Sequence, residues 1–147
     1  MKDKIDKFIE QQTCANVCCV DDEGNPYCFS CFYSYDSNEA LLYYKSSFDT
    51  QHSAILLKNS VVAGTILPDK LNLLQIKGIQ FEGVVLSGNY SMTRRASAHY
   101  YEKHPVALGM PGEIWTIQIN NIKFTDNTLG FGKKINWKRD ETEVINI

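Results

Sequence analysis

The chain has 147 residues, enough for one domain with a real core and too few for two. Hydrophobic residues at 44%, charged residues at 22% and a formal charge of −2 describe an ordinary globular chain. That balance argues against disorder away from the ends, and it leaves no basic field for nucleic acid or for an anionic membrane surface. The opening MKDKIDKFIEQQ carries acids and lacks the apolar core of a secretion signal, and no stretch approaches a membrane span, so a cytoplasmic protein is expected. The cysteines, at 14, 18, 19, 28 and 31, are odd in number and confined to the first quarter, which suits reduced and mostly buried structural thiols.

In chain order, Ile5, Phe8, Ile9 and Gln12 make a helical stripe that predicts a short amphipathic cover helix over 3–12. Residues 15–20 and 26–35 read as two antiparallel strands around the Asp-Glu-Gly-Asn turn at 21–25. A second polar turn at 36–39 leads to a strand at 40–45. A helix is predicted over 50–58, with Asp49 or Thr50 as N-cap, Ala54, Ile55 and Leu57 inward, and Asn59 near its end.

The β-branched run 61–67 reads as a strand, Pro68-Asp69 as a turn, and 71–86 as a long strand. Gly78 and Gly83 inside that run mark bulges, sharp curvature or a close backbone approach. A turn at 87–89 precedes a helix over 93–103 that Pro105 stops, and 109–112 forms a loop. Ile114, Thr116 and Gln118 alternate with Trp115, Ile117 and Ile119 in a strand reaching 124, and Asp126-Asn127 turns into a last strand at 129–137. Six or seven strands broken by two short helices favour an all-β barrel with helical covers over an alternating βαβ sheet.

The densest polar cluster is Lys45, Ser46, Ser47, Thr50, Gln51 and His52, beside the predicted N-terminus of the second helix. Free amides and the positive end of the helix dipole at such a corner can hold a phosphate without a P-loop; the plainer alternative is a capped helix with its polar groups in water. Other chemistries are weaker. Residues three apart on a strand face opposite ways, so Cys28 and Cys31 suit neither a shared zinc nor a disulfide, and Cys18-Cys19 has the same difficulty. Ser46 or Ser47, His52 or His99, and Asp49 supply the types of a hydrolytic triad but no Gly-x-Ser-x-Gly elbow. The 130–134 segment, Gly-Phe-Gly-Lys-Lys, is a basic turn without Walker spacing. Tyr27, Trp115 and Trp137 are either stacking residues or core.

The order of an aromatic strand, then Ser46-Ser47-Phe48-Asp49-Thr50-Gln51-His52, a short helix and the 61–67 strand resembles the pyridoxamine 5′-phosphate oxidase-like split-barrel flavoproteins. The 21–26 turn, the 30–32 strand, and the 76–85 strand with Gln80 and Gly83 match the same family, so the likeness covers roughly residues 10–125. The run from Thr128 to Lys134, followed by Trp137, resembles more closely a small bacterial subgroup of that family.

The resemblance implies an FMN-binding split β-barrel over 1–147, assembled as a two-fold homodimer with flavin clefts at the interface. It implies non-covalent FMN, with its phosphate near Ser46, Ser47, Thr50, Gln51 and His52, charge assistance from Lys45, and apolar cover around Phe32 and Val62. Gln80 and Trp137 complete the implied cofactor residues. Many relatives carry lysine where this chain has His52, which offers a hydrogen bond and less fixed charge. The full C-terminal substrate pattern of the true oxidases is missing, so oxidation of an unidentified small molecule is expected in place of that reaction. Three alternatives accompany this reading: F420 in place of FMN, haem held by His52, His99 or His104, and a non-enzymatic flavin-binding or dimerisation module.

Overall fold

Strands β1 (Cys14–Val20) and β2 (Pro26–Asp36) form the predicted first hairpin, closed by a turn in which Asp21 Oδ1 accepts the Glu23 and Asn25 amides at 2.9 and 2.8 Å. Gly24, at φ +84°, supplies the left-handed position that this turn needs. The structure, a computed structural model, describes residues 2–87, 90–129 and 133–140.

Strand β3 (Leu41–Ser46) continues the meander, and helix α2 (Gln51–Lys58) follows. Strands β4 (Val61–Ile66), β5 (Lys77–Leu86) and β6 (Glu113–Asp126) then run in the order β3-β2-β1-β4-β5-β6, and β6 pairs back onto β3. The result is a closed six-stranded antiparallel barrel. A short β7 (Lys134–Lys138) adds to the second half of β6, helix α1 (Lys2–Gln11) covers the barrel, and helix α3 (Tyr90–Lys103) lies outside it.

Period-two alternation separates the two sides of the wall. Leu42 and Tyr44 face the barrel core with Val17, Ile66, Phe81, Ile117 and Ile119, whereas Leu41 and Tyr43 face outward under Ala96 and Tyr100 of α3. The predicted stripe of α1 is correct: Ile5, Phe8 and Ile9 join the barrel core, at about 1.5–3 kcal/mol each by area burial. Tyr33 Oη donates to the Ile9 carbonyl at 2.5 Å and Tyr35 Oη to Asp6 at 2.9 Å, which fixes the helix in register.

Gly83 sits at the register shift between β5 and β6, where an added Cβ would collide with the Gln118 carbonyl oxygen. The predicted bulge is therefore real at Gly83; at Gly78 the nearest atom to an added Cβ is Leu67 Cδ2 at 3.5 Å, and no shift occurs.

Four expectations need correction. The 71–86 run is a strand only from Lys77, because Asn72 bends the chain by accepting the Leu74 amide at its side chain and the Gln75 amide at its carbonyl, both at 3.0 Å. Helix α2 buries Ser53 and Leu56, and leaves Ala54 and Leu57 exposed, because Ser53 is held inward by its hydrogen bonds to the Ser47 carbonyl and Thr50, which turns the 53–56 face to the barrel. The last strand begins at Lys134; residues 130–132 of the expected Gly-Phe-Gly turn lie outside the described residues, as do 88 and 89 of the expected 87–89 turn. The thiols are free but not mostly buried: Cys19 alone is buried, and Cys14 and Cys28 are exposed. Among the described residues no helix is long and apolar enough to cross a membrane.

Candidate functional site

Strand β3 ends at Ser46 because the chain must turn there into α2, and that turn is held by hydroxyls. Thr50 Oγ1 accepts the Ser53 amide at 3.1 Å as the N-cap, and Ser53 Oγ donates to the Ser47 carbonyl at 2.6 Å. His52, in the first turn, reaches back so that its Nε2 lies 2.7 Å from Ser46 Oγ. Its ring stacks on Phe29 with centroids 3.8 Å apart and planes 10° from parallel. Burial lowers the His52 pKa below 6.5 and is the one cause acting on it. Among the described residues no Asp or Glu is hydrogen-bonded to the ring or lines the cleft, so the Ser46–His52 contact lacks the acid of a triad.

Gly112, at φ +129°, allows the start of β6 to approach the end of β3, where a Cβ would stand 3.2 Å from the Ser46 carbonyl carbon. Trp115 Nε1 donates to the Ser46 carbonyl at 2.9 Å from the same strand, and its ring lies nearly parallel to Tyr44. Trp115 is thus core packing that braces the corner.

A cleft of about 580 Å³ opens beside this corner. Phe29, Phe32, Tyr44, Lys45, Ser46 and His52 form one wall, and the end of α3 with the 105–111 loop forms the other, through Tyr100, Lys103, His104, Val106 and Met110. The volume is that of an ordinary small-molecule site. No Asp or Glu is among the described lining residues, while two lysines and two histidines are. The lysine positions are set by the backbone: Lys45 Nζ donates to the Ala107 and Met110 carbonyls at 2.7 and 2.6 Å, and Lys103 Nζ to the Gln12 carbonyl at 2.7 Å. Burial lowers the Lys103 pKa. His104 Nε2 donates to the Tyr33 carbonyl at 2.7 Å, which fixes its tautomer.

Tyr44 contributes a further polar feature. Its hydroxyl is buried with no hydrogen-bond partner, and burial raises its pKa. An orphaned buried hydroxyl is costly unless something supplies a partner.

The predicted site residues therefore separate. Lys45, Ser46, His52 and the 59% exposed Phe32 share the cleft, whereas Ser47, Thr50 and Gln51 are not among its lining residues and belong to the turn and first position of α2, where the Ser47 carbonyl and the Thr50 hydroxyl are engaged in the cap. Val62 is 2% exposed inside the barrel core. Gln80 lies instead in a groove of about 770 Å³ on the outer face of the sheet, with Asn16, Cys18, Cys28 and Lys123, whereas the Trp137 ring packs partly buried against the barrel core with Lys2 of α1 over it. Tyr27 packs partly buried against the core. His99 lies on α3 with its Nδ1 2.9 Å from Ser34 Oγ, away from the cleft lining. Sequence reasoning missed Lys103 and the 105–111 wall as cleft residues and named His104 only as a haem candidate; the Pro105 helix stop and the Gly109–Gly112 loop marked the turn without revealing what it faces.

No family model matches the chain. The UPF0306 protein plu4501 of Photorhabdus laumondii is 36% identical over 135 residues, covering 92% of this chain and 94% of that protein. The UPF0306 protein YhbP of Salmonella paratyphi A is 40% identical over 124 residues, covering 83% of each. Among solved structures, a heme binding protein from Mycobacterium smegmatis superposes with a TM-score of 0.78 at 12% identity over 94% of this chain, which spans 58% of that one. A pyridoxinephosphate oxidase family protein from Clostridium acetobutylicum, related to general stress protein 26, superposes at 0.66 with 13% identity and 95% of both chains covered. At these identities the structures show the fold alone, and that fold is the split barrel. The chain belongs to the UPF0306 family.

Proposed function

We propose that this UPF0306 protein binds FMN non-covalently, with the phosphate at the Ser46–His52 corner, in a cytoplasmic two-fold homodimer. The observation that carries the reading is the cleft itself: cationic and hydroxyl groups without a described acid, closed on one side by apolar rings, beside a capped helix N-terminus.

Bound FMN would supply hydride or electron transfer for an unidentified small-molecule substrate. The chain's own part is positional. Ser46, Ser47, Thr50, Gln51 and His52 would bind and orient the phosphate, with Lys45 lending charge from the same wall, where its Nζ is held by the Ala107 and Met110 carbonyls. Phe29 and Phe32 exclude water. His52, neutral when the cleft is free, takes up a proton as the phosphate approaches, since an anion stabilises the imidazolium that burial disfavours. No residue is assigned as proton donor to substrate, and a flavin-binding module without turnover remains the alternative within the same site.

Haem is the second reading, favoured by one observation: His52 and His104 line the same cleft. Both Nε2 atoms are engaged within the protein, His52 with Ser46 and His104 with the Tyr33 carbonyl, so haem ligation through Nε2 must break one of those contacts. Titration with FMN and haem side by side separates the readings. Saturable quenching of flavin fluorescence supports FMN; a Soret shift without any flavin response replaces it with haem.

A further inference from the structure

The β1–β2 register places Cys18 directly opposite Cys28. Opposed residues of an antiparallel pair project to the same face, so the rule that separates Cys28 from Cys31 along one strand does not separate Cys18 from Cys28 across two. No other two of the five cysteines are opposed: Cys14 faces Phe32, Cys19 faces Tyr27 and Cys31 faces Ala15.

The type of pair follows from the ladder. Tyr33 N donates to the Thr13 carbonyl at 3.1 Å and Asp21 N to the Asn25 carbonyl at 3.0 Å, so both ends of the hairpin are hydrogen-bonded positions. Such positions alternate in an antiparallel ladder, which puts 15–31, 17–29 and 19–27 in the bonded class and 18–28 in the other. Non-hydrogen-bonded pairs have Cα atoms about 4.5 Å apart with the side chains close, near the lower end of the range a disulfide accepts.

Access is also present. Cys28 is exposed, Cys18 is half-buried, and both line the outer groove with Gln80. The Cys18 thiol lies 3.8 Å from the Cys19 carbonyl, and the neighbouring Cys28 thiol is the largest cause raising its pKa. The other three thiols are poorer nucleophiles at neutral pH: burial pushes Cys31 up to about 12 and also raises Cys19 and Cys14.

We propose that Cys18 and Cys28 are a redox-active cross-strand dithiol that exchanges with low-molecular-weight disulfides. Cys28, the exposed member, attacks the small disulfide as its thiolate, forms a mixed disulfide and expels one small thiol. Cys18, after losing its proton, attacks Cys28 Sγ and expels the second. The balance is two protein thiols and one small disulfide giving one protein disulfide and two small thiols, with two electrons passing to the small molecule. The short pair geometry makes the bond readily reducible, so the exchange reverses when the small thiol is in excess. The bond would staple the hairpin beneath the outer groove. This inference does not depend on FMN.

The test uses full-length protein equilibrated with oxidised and reduced glutathione at several ratios, quenched by alkylation and mapped without reduction. Trypsin leaves all five cysteines in one peptide, since no Lys or Arg lies between Lys7 and Lys45, so cleavage at Glu23 or Asp22 is needed to part Cys18 from Cys28. The expected result is one cross-linked peptide pair, lighter by two hydrogens, that grows with the oxidised fraction and reverses with excess reduced glutathione. It should vanish in Cys18→Ser and in Cys28→Ser and persist in Cys14→Ser and Cys31→Ser. Wild-type protein that stays fully reduced, or that stops at a glutathione adduct on Cys28, overturns the proposal. A cross-link surviving in Cys18→Ser or Cys28→Ser overturns it equally.

Discussion

Ser46 Oγ and His52 Nε2 stand 2.7 Å apart across the turn from β3 to α2, with the His52 ring stacked on Phe29. That contact turns an imidazole on a short helix toward the cleft and keeps it half-buried, so its protonation becomes sensitive to what occupies the corner.

Lowering the pH should therefore weaken the free protein through His52. Its folded pKa lies below the ordinary 6.5, so the unfolded chain takes up the proton first as pH falls. The contribution is fully present above about pH 6.5 and is lost as pH falls through the folded-state pKa. The urea midpoint of wild type should drop further between pH 7.5 and 5.5 than that of His52→Gln. Equal drops would show that His52 is not the group responsible. FMN binding should carry the opposite sign, weakening as pH rises through neutrality, because the complex holds the proton that the free protein has lost.

Tyr44→Phe should leave the free protein as stable as wild type or up to about 1–3 kcal/mol more stable, since the lost hydroxyl has no partner. The same substitution should weaken FMN binding if the ligand satisfies that hydroxyl. Chemical denaturation with and without FMN checks both halves, and a destabilised free protein would mean that the hydroxyl has a partner.

Gly83→Ala should cost about 1–3 kcal/mol, because its Cβ would enter the Gln118 carbonyl and backbone has little room to yield. Gly78→Ala, with 3.5 Å to its nearest neighbour, is the matched control and should be far milder. Thermal melts of the two variants compare them directly.

Mixed dimers test the shared site. If Trp137 of one subunit serves the cleft of the other, neither His52→Ala nor Trp137→Ala homodimers should bind FMN well, while a heterodimer of the two should regain one intact site. Differently tagged chains, co-purified and titrated, should show half of the wild-type stoichiometry. No recovery would place both residues in one subunit's site or remove Trp137 from it.

Much of the barrel could be read from local pattern. The α1 stripe, the Asp-Glu-Gly-Asn hairpin, Thr50 as one of two N-cap candidates, and the Gly83 break all carry their signal within a few residues. The misreadings occurred where an apolar run has no period. Leu71, Leu73 and Leu74 look like strand but are 72%, 96% and 86% exposed around the Asn72 turn. The cleft was half legible: Lys45, Ser46 and His52 are adjacent in sequence, whereas Lys103 and His104 reach it only through α3 packing on Leu41 and Tyr43. The opposition of Cys18 and Cys28 required the hairpin register, which composition does not specify.

The central claim is that the Ser46–His52 corner binds a flavin phosphate, and equilibrium titration of wild type and His52→Ala with FMN and with riboflavin tests it most directly. The account expects wild type at about 10 μM to saturate with FMN and to bind riboflavin at least about tenfold more weakly, a difference of about 1.4 kcal/mol. His52→Ala should lose FMN affinity by about that factor while its riboflavin affinity stays put. Wild type that binds no FMN at that concentration, or that binds FMN and riboflavin equally, would contradict it.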